Sequence, residues 1–87
     1  MTHLRENEYL RAVDQGDLRT GQQILGEILK ELPFSSKYLN DLGVLYFLDK
    51  QLSLARVHFV CASIFDPSNE LARDNLKRVE SELANLK

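Results

Sequence analysis

Pro33 and Pro67 are the only prolines in the chain, and a single shift of 34 carries the first onto the second. Proline lacks the amide proton that a helix interior needs, so each one marks a break. Each is followed closely by serine or asparagine (Ser35, Ser36, Ser68, Asn69), whose short side chains cap a helix start. The same punctuation at one period calls for a test of internal repetition. Under that shift, Leu25 falls on Phe59, Ile28 on Ala62, Gly21 on Ala55 and Leu18 on Leu52. Leu10 falls on Val44 and Ala12 on Tyr46, and a third, partial copy begins near Glu70, with Leu76 on Leu42 and Val79 on Leu45.

Each unit reads as two amphipathic helices joined by a short turn, at residues 15–17 in the first and 49–51 in the second. The apolar periodicity predicts five helices, near 3–15, 18–32, 36–49, 52–65 and 69–86, and no stretch alternates long enough to make a strand. The expectation is an all-α single domain spanning 1–87: repeat one at 2–35, repeat two at 36–69 and a capping helix at 70–87. A chain of 87 residues buries a modest core, so reinforcement is expected from outside it. The lone Cys61 excludes an internal disulfide and suits a reducing compartment, and two histidines with one cysteine make a poor zinc set. Self-association or a larger parent protein is left as the reinforcement.

Eleven basic and 13 acidic residues, with no run of Lys and Arg, argue against nucleic acid, which demands a concentrated positive face. The N-terminal segment 1–18 carries charges throughout, and the longest apolar run, 44–48, is far short of a membrane span. A cytoplasmic protein without a membrane partner is expected.

The second unit reads Leu39-x2-Leu42-Gly43-x2-Tyr46, then Ala55-x3-Phe59-x2-Ala62, then Pro67. This resembles the tetratricopeptide repeat (TPR), with Leu39 in place of the usual tryptophan. The physical sense is packing: Gly43 and Ala55 are small where two helices approach, while Tyr46, Phe59 and Ala62 interlock large against small. The first unit is a degenerate copy, with Glu8-Tyr9 where Leu-Gly is expected. In the last segment Ala72, Leu76, Val79, Leu83 and Leu86 make one narrow stripe on a charged helix, as a solvating cap should. The resemblance implies a right-handed superhelical stack of antiparallel helix pairs.

It also implies a concave face, lined by the first helix of each unit, that holds a protein or peptide. On helix 36–49 that face carries Lys37, Asn40, Asp41, Val44, Phe47 and Leu48, with Asn7, Leu10 and Asp14 to one side and Asp74, Asn75 and Arg78 to the other. Val44 and Leu48 form an apolar floor, the amides and charges a rim; the alternative is that these apolar residues only pack on adjacent helices. Family members that clamp a terminal carboxylate use basic residues; the matching positions here are Glu6, Leu10, Asp41, Leu71 and Asn75, so no such clamp is expected.

Helix 52–65 has a second feature. Ala55, Phe59 and Ala62 share one side, and Val57, Val60, Cys61 and Ile64 cluster within about 100° on nearly the opposite side, where the family usually exposes charge. Such a stripe reads as an interface, either with a second copy or with another domain.

Catalysis is not expected. His58 and Cys61 stand three apart on one helix, but a thiol–imidazole pair also needs an orienting group and a cleft, and a metal needs more ligands. Gly16, Gly21 and Gly26 are spread along a turn and a helix rather than gathered in a phosphate loop; the Gly21–Gly26 pair is expected to let helices approach. No cofactor, metal or catalytic residue is assigned. The expected function is a protein–protein interaction module acting as scaffold or adaptor, self-associating or docked in an assembly. The alternative is an accessory TPR domain of a larger enzyme, such as a methyltransferase or glycosyltransferase, because the residue 66–76 ending is similar to repeats that precede such domains.

Overall fold

The computed structural model describes residues 2–86, with side chains from residue 5 onward. Five helices follow one another: α1 (Thr2–Asp14), α2 (Leu18–Glu31), α3 (Ser36–Leu48), α4 (Leu52–Phe65) and α5 (Glu70–Asn85). No strand occurs among the described residues, and the protein is all-α. Each helix packs on the next in sequence, and α5 also reaches back to α3. None is long and apolar enough to cross a membrane.

The boundaries follow from hydrogen-bond chemistry at the turns. α1 ends in a Schellman motif, in which Asp17 N–H donates to Ala12 O (2.8 Å) and Gly16 N–H to Val13 O (2.9 Å). α3 ends in the same way at the place to which the sequence shift carries that turn, with Gln51 N–H on Tyr46 O (2.9 Å) and Lys50 N–H on Phe47 O (3.1 Å). Both motifs need a left-handed residue, which is Gly16 at φ 77° and Lys50 at φ 65°. α2 and α4 end before the prolines, where Leu32 N–H donates to Ile28 O and Asp66 N–H to Ala62 O. The caps Ser35 and Asn69 then accept from the amides of Tyr38 (3.3 Å) and Ala72 (3.2 Å). Asn69 is the cap its residue type implied and Asp49 belongs to the turn, while Leu32 and Leu86, expected as the last residues of their helices, are C-caps.

The core is assembled around α3. Tyr38, Leu42 and Leu45 join Tyr9 of α1 and Ile24, Leu25 and Ile28 of α2. Leu39 meets Ala62 and Ala72, while Ala55 and Phe59 of α4 meet Val79 of α5. Two glycines permit close approach. A Cβ on Gly43 would stand 2.6 Å from the Phe59 ring, and one on Gly21 would stand 2.8 Å from Leu45 Cδ1. Gly26 is different, with nothing within 4 Å, which corrects the expectation that the Gly21–Gly26 pair acts together in packing.

Polar stitches complete the stack. The Asp49 carboxylate accepts from Gln51 Nε2 (2.5 Å), Arg19 Nε (2.7 Å) and Gln22 Nε2 (3.2 Å), tying α2 to the α3–α4 turn. Asn69 Nδ2 donates to Ser36 Oγ, which donates to Ala62 O, both at 2.8 Å, so the starts of α3 and α5 are joined to the end of α4.

The two glycine environments predict opposite outcomes for one substitution. Gly26→Ala adds helix propensity without a clash and should raise stability by about 0.5–1 kcal/mol, several degrees in Tm. Gly43→Ala should lower it by about 1–3 kcal/mol, because the buried Phe59 ring has nowhere to move. Thermal unfolding of both variants reads this directly. Acid sensitivity is the second expectation. Hydrogen bonds from Gln22 and Gln51, then from Arg19, hold Asp49 below the ordinary aspartate range, and bonds from Thr20 and Ser68 do the same for Asp17 and Asp66. A carboxyl lowered on folding stabilises the fold above its unfolded pKa, and that stability is lost as pH falls through the lower folded value. Unfolding by acid should therefore steepen below about pH 4, and Asp49→Asn should flatten that limb in a pH titration followed by circular dichroism.

Candidate functional site

The residues of α3 left over from the core determine what the surface can do. Val44 stands between two shallow depressions. One, of about 120 Å³, lies between α3 and α5 and is lined by Val44, Phe47, Leu48, Phe59, Asn75 and Arg78. The other, of about 170 Å³, lies between α1 and α3 and is lined by Tyr9, Leu10, Val13, Asp41, Val44 and Leu45. Together they make a strip with an apolar floor running across α1, α3 and α5. Val44 and Phe47 also pack on the Phe59–Val79 cluster, whereas Leu48 is exposed.

The α1 side of the strip is polar chemistry. Tyr9 Oη donates to Asp41 Oδ2 at 2.6 Å, and Tyr38 Oη donates to Glu6 Oε2 at 3.0 Å. Lys37 pairs with Glu6 and holds its ammonium 5.0 Å from the Tyr38 ring centroid. Burial raises the Asp41 carboxyl above the ordinary aspartate value, against the opposing bond from Tyr9 and the charge of Lys37. Burial, then the Asp41 bond, raises the Tyr9 phenol, and the bond to Glu6 raises Lys37. On the α5 side, Arg78 has no ion pair among the described residues.

Not every expected groove residue lies on this strip. Asn40 is buried, and its Oδ1 accepts from Asn75 Nδ2 at 3.0 Å, so it links α3 to α5 instead of forming a rim. Asn7 and Asp14 are exposed on α1 and Asp74 on α5, outside both depressions. Tyr9, Val13, Leu45 and Phe59 line the depressions without having been expected there. Tyr9 carried a signal: the sequence shift places it on Gly43, a position too cramped in the second unit for any side chain.

The outer face of α4 differs in detail from the expected stripe. Val57 and Ile64 are exposed, but Val60 and Cys61 are half-buried, Cys61 against the Leu39–Ala62–Ala72 cluster. Leu54 and Phe65 extend the apolar surface, and Phe34 from the α2–α3 turn meets Phe65 edge to face, with centroids 4.9 Å apart. Leu54 and Phe65 fall three before Val57 and four after Cys61, a helical spacing that could have found them.

His58 lies on Tyr46, with ring centroids 5.1 Å apart, and its Nδ1 donates to Leu54 O at 2.8 Å. That bond assigns the proton to Nδ1, since the carbonyl can only accept. No group of three His, Cys, Asp or Glu side chains among the described residues is placed to hold a metal; the His3 side chain lies outside them.

No protein-family model matches the chain, and no curated protein matches it.

The Tyr9–Asp41 pair generates a test of what sets the α1 wall. A carboxyl raised on folding disfavours the ionised fold, so its penalty grows as pH rises from the unfolded pKa through the folded one. Asp41→Asn keeps an acceptor for Tyr9 and removes that penalty, and should be at least as stable as wild type at pH 7. Asp41→Leu strands the Tyr9 hydroxyl and should cost about 1–3 kcal/mol in urea denaturation. Equal losses in the two variants would contradict the hydrogen-bond account.

Proposed function

We propose that this chain is a protein-interaction module of the tetratricopeptide type, two repeats and a cap in a right-handed stack, that holds a peptide segment of a partner across α1, α3 and α5. The observation that carries the reading is the apolar strip centred on Val44, which no other described element covers. Recognition of a peptide needs one or two apolar anchors and polar groups that orient it. Val44, Phe47 and Leu48 offer the first. Arg78 and Asn75 at one end and Asp41 at the other offer the second, and their opposite charges would orient a segment along the strip. The repeated turn pattern at 16 and 50, and the caps at 35 and 69, support the repeat reading. The reading assigns no catalytic residue, and His58 and Cys61 are packing groups within it.

Peptide display against the whole chain tests the proposal. Binders should share an apolar residue beside an acidic one that meets Arg78. Leu48→Lys and Arg78→Glu should each weaken them about tenfold or more, the loss of one anchor or one charge pair. Ile64→Glu, on the far face of α4, should leave them unchanged. Binders indifferent to both groove substitutions would end the proposal.

A further inference from the structure

On the side of α4 turned away from α3 lies a second apolar surface. Phe34 is 70% exposed, Ile64 66%, Val57 51%, Phe65 46% and Leu54 43%. With an aromatic side chain presenting about 150–250 Å², these five leave on the order of 500 Å² of contiguous surface in water, at the upper end for a monomer. The stripe from Leu54 to Phe65 runs about 16 Å along the helix, and Phe34 widens it at its C-terminal end through the contact with Phe65.

We propose that this face pairs two copies of the chain, α4 against α4, about a two-fold axis. Area is the first argument. Two such faces bury on the order of 1,000 Å² in total, the size of a weak but specific interface and below that of an obligate one. Charge is the second. The 52–65 segment contains no carboxylate, Arg56 is turned to Glu80 of α5 at 3.4 Å, and His58 is half-buried against Tyr46. Along α4 the face therefore has no charge with which to select a charged partner or repel its own copy; Glu31 and Asp66 flank it only at the Phe34–Phe65 end. The remaining exposed surfaces argue the same way. α5 and its C-cap expose Leu71 and Leu86 far apart among Glu70, Arg73, Asp74 and Lys77, and α1 exposes Leu10 beside Glu8, Arg11 and Asp14, so end-to-end stacking has single apolar contacts among charges and no stripe to use.

The stripe also sets the direction of pairing. Val57 and Ile64 lie at nearly equal distances on either side of Cys61. An antiparallel crossing centred there puts Val57 against Ile64 of the second copy and brings the two Cys61 side chains near the axis. Because a two-fold contact is self-complementary and closed, assembly stops at two chains. The strip on α3 faces away and stays open in the pair.

Sedimentation velocity of the full chain from about 1 µM to about 1 mM spans the affinities expected of so small an interface. Mass should rise from the 10.0 kDa monomer to twice that value. Val57→Glu and Ile64→Glu alter exposed side chains, should keep the wild-type helical circular dichroism, and should shift the midpoint upward about tenfold or more. Leu48→Lys should not shift it. A chain monomeric throughout, or a dimer lost with Leu48→Lys and kept with Ile64→Glu, would overturn the proposal.

Discussion

The ring of Phe59 occupies the space that a side chain on residue 43 would fill, and the rest of the structure is arranged around that contact. With Ala55 and Ala62 wholly buried beside it, α4 lies close on α3, and Val79 seats α5 on the same cluster. Burial of one such aromatic side chain is worth about 1.5–3 kcal/mol, a large share of what a domain this small retains. The first unit solves the problem in reverse. The sequence shift places Leu25 on Phe59 and Tyr9 on Gly43, so the large residue is on the first helix. A tyrosine brings a hydroxyl that must find a partner when buried, and it finds Asp41 on α3. The link between α1 and α3 is thus a consequence of exchanging large for small across one helix pair.

The turns carry a second economy. In both Schellman motifs the residue that closes one helix also begins the next: Asp17 closes α1 and caps α2 through the Thr20 amide at 3.1 Å. Gln51 occupies the same place after α3 but makes no side-chain cap, and donates instead to Asp49. That turn also holds Lys50 in the left-handed region, which costs a non-glycine residue about 1–2 kcal/mol. Asp49 is what offsets this, gathering donors from its own turn and from α2. The weaker turn is the one braced from outside.

Helix positions were legible because prolines, caps and left-handed turns are local chemistry, written in Pro33, Ser35, Gly16, Pro67 and Asn69. Which face a residue shows was legible only where one neighbour decides it. Val44 and Leu48 followed from helical period. Asn40 did not, since its burial depends on how closely α5 approaches and on an amide partner, Asn75, on another helix. Val60 and Cys61 belong to the same class, half-covered by elements whose approach no spacing rule describes. The Gly21–Gly26 pair was legible and misread. An interval of five turns a helix through about 500°, so the two cannot share a face, and only Gly21 meets another helix.

These differences give the strip on α3 two unlike walls. α5 is held by buried Ala72 and Val79 and by the Asn40–Asn75 bond, a contact that resists displacement because it is packed. Between α1 and α3 the backbones do not approach closely, and the side chains that bridge them are the Tyr9–Asp41, Tyr38–Glu6 and Lys37–Glu6 pairs, added to the packing of Tyr9 on Tyr38 and Leu42. Polar bonds of this kind exchange with water at small net cost, whereas a packed apolar contact leaves a void when broken. The α1 wall is accordingly the one more easily displaced, and the α5 wall the more rigid of the two.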